Sequence, residues 1–326
     1  VPPSQTPGAG RPRRVVSVPD DRWVDLWPDG EDPVDVVVWA MDDDLPPESL
    51  PAGARPELVV LPYMDAGAAL PRLPTIEGLE VVQTLTAGYD DVLAHLPAGV
   101  TLCTAAGVHD SSTAELAVGL AIAALRGLGD FARAQTVGTW LAGTRPALAD
   151  RRVLLVGGSG SVGGAITDRF APFEVVLTRV ASRARDDARG HVHGVDELPA
   201  LLPSHDVVVL AVPLSDATRG LVDAQFLAAM PDGALLVNVA RGPVVDTDAL
   251  VVEVTSGRLR AALDVTDPEP LPVDHPLWRA PGVLVSPHVG GDTTAFPPRA
   301  RRLLRAQFER WAAGEPLANV VAGPRR

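Results

Sequence analysis

The stretch VLLVGGSGSVG, Val153 to Gly163, constrains the chain most, because it predicts a strand running straight into a glycine turn that opens a helix. Val153 to Val156 is a short apolar run of the kind a parallel strand buried on both faces shows. Gly158, Gly160 and Gly163 then fall in the order G-x-G-x-x-G. The first glycine allows a tight turn and the second lets backbone approach a pyrophosphate. The third lets the helix from Gly164 to Phe170 pack closely on the strand. Free N–H groups at the helix start, around Ser161 and Val162, favour an anion there. In a chain with 30 glycines a triplet alone is a weak signal; its place between strand and helix gives it weight.

Short apolar runs recur on both sides of this turn. Before it stand Val15 to Val18, Val34 to Trp39, Leu58 to Leu61, Val81 to Leu85 and Val100 to Cys103. Helix-like or Pro/Gly-rich connectors separate them, among them Met64 to Leu70 and Tyr89 to Leu96, which predicts βα alternation and a parallel sheet. After it come Val175 to Thr178, Val207 to Val212, Ala234 to Val239, Ala261 to Val265 and Val283 to Ser286. With the glycine strand these make six, the number of a doubly wound dinucleotide fold. Between the two series, Ser112-Thr113-Ala114-Glu115 has capping-box spacing ahead of LAVGLAIAALRGL, a helix apolar nearly all round and therefore buried. Near the end, Leu304, Phe308 and Trp311 share one face of a helix that begins near Pro297 and stops at Gly314.

The chain has 326 residues, enough for roughly two domains. Residues 1 to 14 are rich in Pro, Gly and Arg and read as a disordered tail. They lack the apolar core of a signal peptide, and no run approaches a membrane span, so a cytoplasmic protein without membrane contact is expected. A net charge of −13 argues against nucleic acid. All 28 basic residues are arginine, which removes Schiff-base chemistry and the P-loop lysine together, since each needs an amine. The one cysteine, Cys103, excludes CxxC metal or redox sites and reads as a buried apolar residue; no metal is expected.

Three further stretches put polar residues just past an apolar run, where ligands bind in open α/β sheets. VNVARGPVVDTDAL carries Arg241, LDVTDPEPLP carries Asp264 and Glu269, and VLVSPHVGG carries His288. These stretches resemble those of the D-isomer-specific 2-hydroxyacid dehydrogenases, which implies reduction of a 2-oxo acid, and that reaction takes a carboxylate clamp, a proton donor for the carbonyl oxygen, and a hydride that no side chain can supply. Arginine's planar fork suits the clamp, so Arg241 is assigned there. Histidine titrates near neutral pH, so His288 can give or take the proton. A carboxylate bonded to that ring favours the imidazolium and fixes its orientation, the role assigned to Glu269. Taken singly, these residues are more often a surface ion pair, a turn histidine and a loop acid.

The order G-x-G-x-x-G, N-x-A-R-G, D-V-x-x-x-E-P and S-P-H, with Pro276-Leu277-Trp278 between the last two, resembles the D-isomer-specific 2-hydroxyacid dehydrogenases over nearly the whole chain. The resemblance implies a Rossmann dinucleotide-binding domain over residues 104–289 and a smaller flavodoxin-like α/β substrate domain from 15–103 and 290–326. It also implies a homodimer, with the helix from Thr113 to Leu128 and the loop of Trp140 in its interface. Ala87 and Gly88, in the loop Thr86 to Asp90, would hold the substrate carboxylate through backbone N–H groups, and Tyr63 and Met64 would line the side-chain pocket. No second cation is evident there, which favours a small or apolar 2-oxo acid. Asp264 corresponds to the contact with the nicotinamide carboxamide, and Val212, Pro213, Ala240 and Gly290 flank the cofactor. Ala211 stands where many members have histidine. Formate dehydrogenases of this pattern carry glutamine at the glutamate position, so a reductase of the glyoxylate or hydroxypyruvate type is expected. Transcriptional corepressors share the fold, which leaves a non-catalytic NAD(P)H sensor as the second reading.

Cofactor choice has its own signature. NAD-specific folds carry an acid about 20 positions after the glycines, whereas arginine accommodates a 2′-phosphate. Here the second strand is expected over Glu174 to Thr178, followed by Arg179, then Ser182, Arg183 and Arg185, with no acid at the strand end. NADP(H) is expected to be preferred over NAD(H), with Arg179 the main contact and Ser182 and Arg183 beside it.

Overall fold

The structure is a computed structural model that describes residues 13–28, 30–43 and 55–324. It divides into two compact units, Val1–Val108 with Pro297–Arg326, and His109–Phe296. Residues 1–12 of the expected tail lie outside the described residues. Arg14 does not belong to a tail: its carbonyl accepts the Asp35 N–H at 2.9 Å, and its guanidinium lies 4.0 Å from the Trp311 ring centroid.

In chain order the first unit contributes β1 (Val15–Val18), β2 (Asp35–Val38), β3 (Leu58–Val60), β4 (Val81–Gln83) and β5 (Thr101–Cys103). The second opens with α1 (Asp110–Arg126) and α2 (Leu128–Thr136), then β6 (Arg152–Val156), α3 (Ser161–Phe170), β7 (Val176–Ala181), β8 (Arg185–Asp187) and β9 (Gly190–Gly194). It continues with α4 (Leu198–Leu201), β10 (Val207–Leu210), α5 (Ala224–Ala229), β11 (Leu235–Asn238), α6 (Thr247–Thr255), β12 (Arg260–Leu263) and β13 (Val283–Val285). Helix α7 (Phe296–Ala313) and β14 (Val320–Ala322) return the chain to the first unit.

The first unit's sheet runs β14-β5-β4-β3-β1-β2, parallel except for β14. Its parallel part has the flavodoxin order 2-1-3-4-5. The connectors expected to be helical are tighter: 3₁₀ turns occupy Leu70–Thr75 and Leu93–His95. Pro74, inside the first of these, removes a backbone donor that an α-helix would use. On α7, Leu304, Phe308 and Trp311 are buried as their spacing predicts, and Gly314 closes the helix at φ +70. Gln307, one position from that stripe, is also fully buried; it donates to the Gln83 side chain at 2.9 Å and to the Ala318 carbonyl at 3.0 Å. Cys103 is fully buried at the end of β5, and burial pushes its thiol up to about 12.

The second unit's sheet runs β13-β12-β11-β10-β6-β7-β9-β8, all parallel except the edge strand β8. All six expected strands are present as β6, β7, β10, β11, β12 and β13, but the parallel strands number seven: β9, which has no apolar run to announce it, completes the doubly wound order 3-2-1-4-5-6, and β13 adds a seventh strand beyond it. Val153 and Leu155 point into the core beneath α1 and α3, and Leu154 and Val156 into the core on the other face, with α5 and α6. Each such buried side chain contributes roughly 1.5–3 kcal/mol. Helix α1 begins three residues before Thr113, so Ser112 lies inside its first turn. The capping box does not form: no side chain caps the helix, and the Ser112 hydroxyl is 2.9 Å from that of Thr293. Among the described residues no helix is long and apolar enough to cross a membrane.

Candidate active site

The glycine turn is built as the spacing requires, with one addition. Gly157, just before the triplet, has φ +99, and a side chain there would run into the Ala211 carbonyl. Gly163 lies so close to the Gly157 carbonyl that a Cβ would clash with it, which brings α3 against the turn. Gly160 is the N-cap of α3 and makes no side-chain capping bond. A Cβ on it would stand 3.7 Å from the Gly157 oxygen and meet nothing else within 4 Å. Backbone donors at an uncapped helix start beside open space fit a dinucleotide pyrophosphate. Ser161 is exposed in the first turn, its hydroxyl 3.3 Å from Asp110 Oδ1, and Val162 is half-buried against the core.

Arg179 requires a correction. Strand β7 extends to Ala181, so Arg179 lies inside the strand and not at its end. Its side chain is 4 % exposed, with the stem against Gly158. Its guanidinium donates twice to the Asp187 carboxylate, both at 2.8 Å, and to the Gly190 carbonyl at 2.8 Å. These bonds hold the Asp187 carboxyl down at about 2. A fork already filled by a carboxylate is not presented to a phosphate. Ser182 and Arg183, just past the strand, are exposed.

The strand ends β11, β12 and β13 carry the polar residues that the sequence singled out. At the end of β11, the buried Asn238 side chain accepts from Ala240 N–H at 3.0 Å and donates to the Arg241 carbonyl at 3.0 Å, which shapes the loop that follows. Ala240 is buried within it, and Arg241 Nη1 donates to the Ala240 carbonyl at 2.9 Å. Gly242 sits so close to the Thr266 carbonyl that any Cβ would overlap it. The arginine loop is thereby packed on the loop after β12. Asn238 is a residue that the sequence reading did not assign; the N-x-A-R-G motif contained the signal.

Asp264, 3 % exposed, gathers the segment after β13. Its carboxylate accepts from Ser286 Oγ at 2.6 Å, Val289 N–H at 3.0 Å and Gly290 N–H at 2.9 Å, while its carbonyl accepts His288 N–H at 2.7 Å. The Gly290 N–H is spent on this bond, and a Cβ there would press on the carboxylate. His288 itself has φ +53, a left-handed conformation that a non-glycine residue seldom adopts. Its Nδ1 is 2.5 Å from Glu269 Oε1. A carboxylate can only accept, so Nδ1 carries the proton and Nε2 is left for another partner. Burial pushes the Glu269 carboxyl up, but the His288 bond and charge, the Thr266 N–H and the Arg241 charge together outweigh it and hold the carboxyl below its ordinary value. Arg241 and His288 are thus both within electrostatic reach of Glu269.

Val212 and Pro213 follow β10, half-buried and exposed respectively, next to Ala211, whose carbonyl abuts Gly157. The remaining expected residues belong to the first unit. Ala87 and Gly88 lie in a loop after β4 tightened by Thr84 Oγ1 donating to the Thr86 carbonyl and Thr86 Oγ1 to that of Gly88, both at 2.7 Å. Tyr63 is half-buried after β3, and Met64 is half-exposed at φ +57.

Residues 118–290 match the model of the D-isomer specific 2-hydroxyacid dehydrogenase NAD-binding domain. The chain is 31 % identical over 280 residues to a human glyoxylate reductase/hydroxypyruvate reductase, covering 79 % of this chain and 82 % of that one. It is 32 % identical over 235 residues to glyoxylate/hydroxypyruvate reductase B of Citrobacter koseri, covering 69 % and 72 %. Among solved structures, a D-isomer specific 2-hydroxyacid dehydrogenase from Xanthobacter autotrophicus Py2 in complex with NADPH and MES superposes with a TM-score of 0.77 at 28 % identity, covering 95 % and 98 %. The chain spans 62 % to 86 % of the lengths of several curated relatives.

Proposed function

Because the chain belongs to the D-isomer specific 2-hydroxyacid dehydrogenase family, a family of NAD(P)-dependent oxidoreductases, we propose that it reduces a small 2-oxo acid to the D-2-hydroxy acid with NADPH. The observation that carries this reading is the His288–Glu269 contact with Arg241 in electrostatic reach of it. When bound, the reduced nicotinamide supplies the hydride that no side chain can. Arg241 holds the substrate carboxylate by its planar fork and fixes the carbonyl in one orientation. His288 donates the Nε2 proton to the carbonyl oxygen as the C–O π bond breaks, and Glu269 holds the ring and its positive charge in place beforehand. Ala87 and Gly88 offer backbone N–H groups to the same carboxylate, and Tyr63 and Met64 set the substrate side chain. Asp264 positions His288 through the backbone. A cytoplasmic location belongs to the same proposal.

Following NADPH absorbance with a panel of 2-oxo acids that includes glyoxylate and hydroxypyruvate tests the activity. Tight NADPH binding with no turnover across the panel would instead identify a cofactor sensor. Cofactor choice is tested in the same assay. With Arg179 committed to Asp187, the 2′-phosphate contact passes to Ser182 and Arg183. kcat/KM is expected to be higher with NADPH than with NADH. Arg183→Ala should remove a charged contact of roughly 1.5–3 kcal/mol, about tenfold or more in kcat/KM for NADPH, and leave NADH unchanged. Equal loss with both cofactors would reject the assignment.

Glu269→Gln tests the pair through pH. Reduction needs a protonated imidazole and fails as pH rises. The His288 bond and charge help hold the Glu269 carboxyl below its ordinary value, and a coupling of that kind is reciprocal, so removing the carboxylate should move the alkaline limb of kcat/KM to lower pH. The shift belongs to the coupled pair and not to either residue. Superimposable alkaline limbs in the two proteins would show that Glu269 does not tune the reaction.

The homodimer reading rests on Trp140, which is 94 % exposed, with Val137 at 75 % and Leu141 at 40 % in the same segment after α2. So much neighbouring apolar surface is unusual on a monomer. Sedimentation equilibrium should return twice the chain mass, and Trp140→Arg should shift it toward the chain mass; a monomeric wild-type protein ends this proposal.

A further inference from the structure

Among the described residues, His191, His193 and Glu197 each offer a ligand atom within 4.8 Å of the others, well away in sequence from every residue assigned above to substrate. The convergence follows from the strand. Successive side chains of β9 alternate faces, so the two histidines stand together on one side while Val192 between them is fully buried on the other. The rings meet edge to face with centroids 4.6 Å apart. Each ring is also oriented by a carboxylate. Asp186, paired directly opposite His191 across the β8–β9 ladder, lies 2.9 Å from His191 Nδ1. Glu197 lies 2.7 Å from His193 Nδ1, and its other oxygen accepts the Gly194 N–H at 2.8 Å, which fixes the turn Val195–Glu197 under the strand. By holding His191 Nδ1, Asp186 sets the tautomer that leaves Nε2 for a metal, whereas at His193 the ion would take the place of the proton shared by Nδ1 and Glu197.

We propose that His191, His193 and Glu197 form a binding site for a divalent late transition metal, with Asp186 as the outer carboxylate that orients His191. Two imidazoles and one carboxylate suit zinc, and nickel or copper by the same donor chemistry; they do not suit the all-oxygen preferences of magnesium or calcium. The bound ion would tie β9 to the turn that follows it. It would also brace the β8–β9 hairpin, whose tip is held to β7 by the Arg179–Asp187 pair, a structural role separate from hydride transfer. The H-x-H spacing was visible in the sequence. The Glu197 partner was not, since only the turn after β9 brings it back to the strand.

The test uses untagged full-length protein treated with a chelator and titrated with zinc chloride by calorimetry, with histidine ring signals followed by NMR. Saturable uptake of one zinc per chain is expected, with the shifted ring signals confined to His191 and His193 and a Tm that rises with free zinc. His191→Ala/His193→Ala should abolish uptake, and the exposed Asp186→Asn should weaken it by about 10- to 100-fold without threatening the fold. His95→Ala, elsewhere in the chain, should change nothing. Absence of saturable uptake, shifts centred on other histidines, or uptake undiminished in both the double variant and Asp186→Asn would overturn the proposal.

Discussion

Replacing His288 by alanine is expected to lower kcat for 2-oxo acid reduction by about 10²- to 10⁴-fold, the range typical of a lost general acid, with the Kd for NADPH nearly unchanged. The ring is the only group in the constellation that combines a titratable proton with a free nitrogen, since Nδ1 is held 2.5 Å from Glu269. The conformation argues against collapse of the loop in this variant. His288 sits at φ +53, but the N–H bonds that fix the segment come from the backbone and converge on Asp264, so alanine keeps them. Alanine remains strained at that φ, and a thermal melt alongside the kinetics separates loss of fold from loss of chemistry. Wild-type turnover of His288→Ala across the pH range would remove the histidine from the mechanism.

Arg241→Ala should damage binding and turnover together. Truncating one side of a hydrogen-bonded charge pair in a desolvated site costs roughly 2–5 kcal/mol. The loss in kcat/KM is therefore about 30- to several thousandfold, divided between a higher KM and a lower kcat because the carboxylate contact persists into the transition state. Arg241→Lys keeps the charge and loses the fork, so it should recover KM in part while kcat stays low. Because Arg241 also contributes to holding the Glu269 carboxyl down, a modest change in the pH profile should accompany either variant. An unchanged KM for the 2-oxo acid in Arg241→Ala would place the clamp elsewhere.

The strongest signals in the sequence were those that backbone geometry enforces locally. An apolar run followed by glycines can build little other than β6, its turn and α3, and the stripe of Leu304, Phe308 and Trp311 required a buried helical face. The errors share a cause: a partner distant in sequence changed the meaning of a local pattern. Ser112 has capping-box spacing, but α1 starts at Asp110 and the hydroxyl faces Thr293, 181 positions away. Strand β9 reads Gly-His-Val-His-Gly, with one apolar residue, and pairs in the sheet because β7 offers it an open edge. Arg179 was placed by counting from the glycines. The strand runs to Ala181, and Asp187 then returns on the β8–β9 hairpin to occupy the guanidinium. Within the site, residue types and order were legible. The bonds of Asp264 were not, because they join the loops on either side of β13; those of Asn238 stay within its own loop.

The knot around Asp264 bears on how this protein could be re-engineered. Asn238 shapes the arginine loop, Gly242 seats that loop on Thr266, and Asp264 binds Ser286, Val289 and Gly290. The three loops after β11, β12 and β13 therefore behave as one cast part. Substitutions among residues in one network are not additive, so randomised libraries at these positions should consist largely of inactive clones, and pairs of individually tolerated changes should fail together. Tyr63 and Met64 stand outside the knot, on a loop of the other unit. Met64 is half-exposed, and libraries there need only avoid β-branched residues at its φ of +57. On the proposal that Tyr63 and Met64 set the substrate side chain, a search for altered substrate preference starts on that loop.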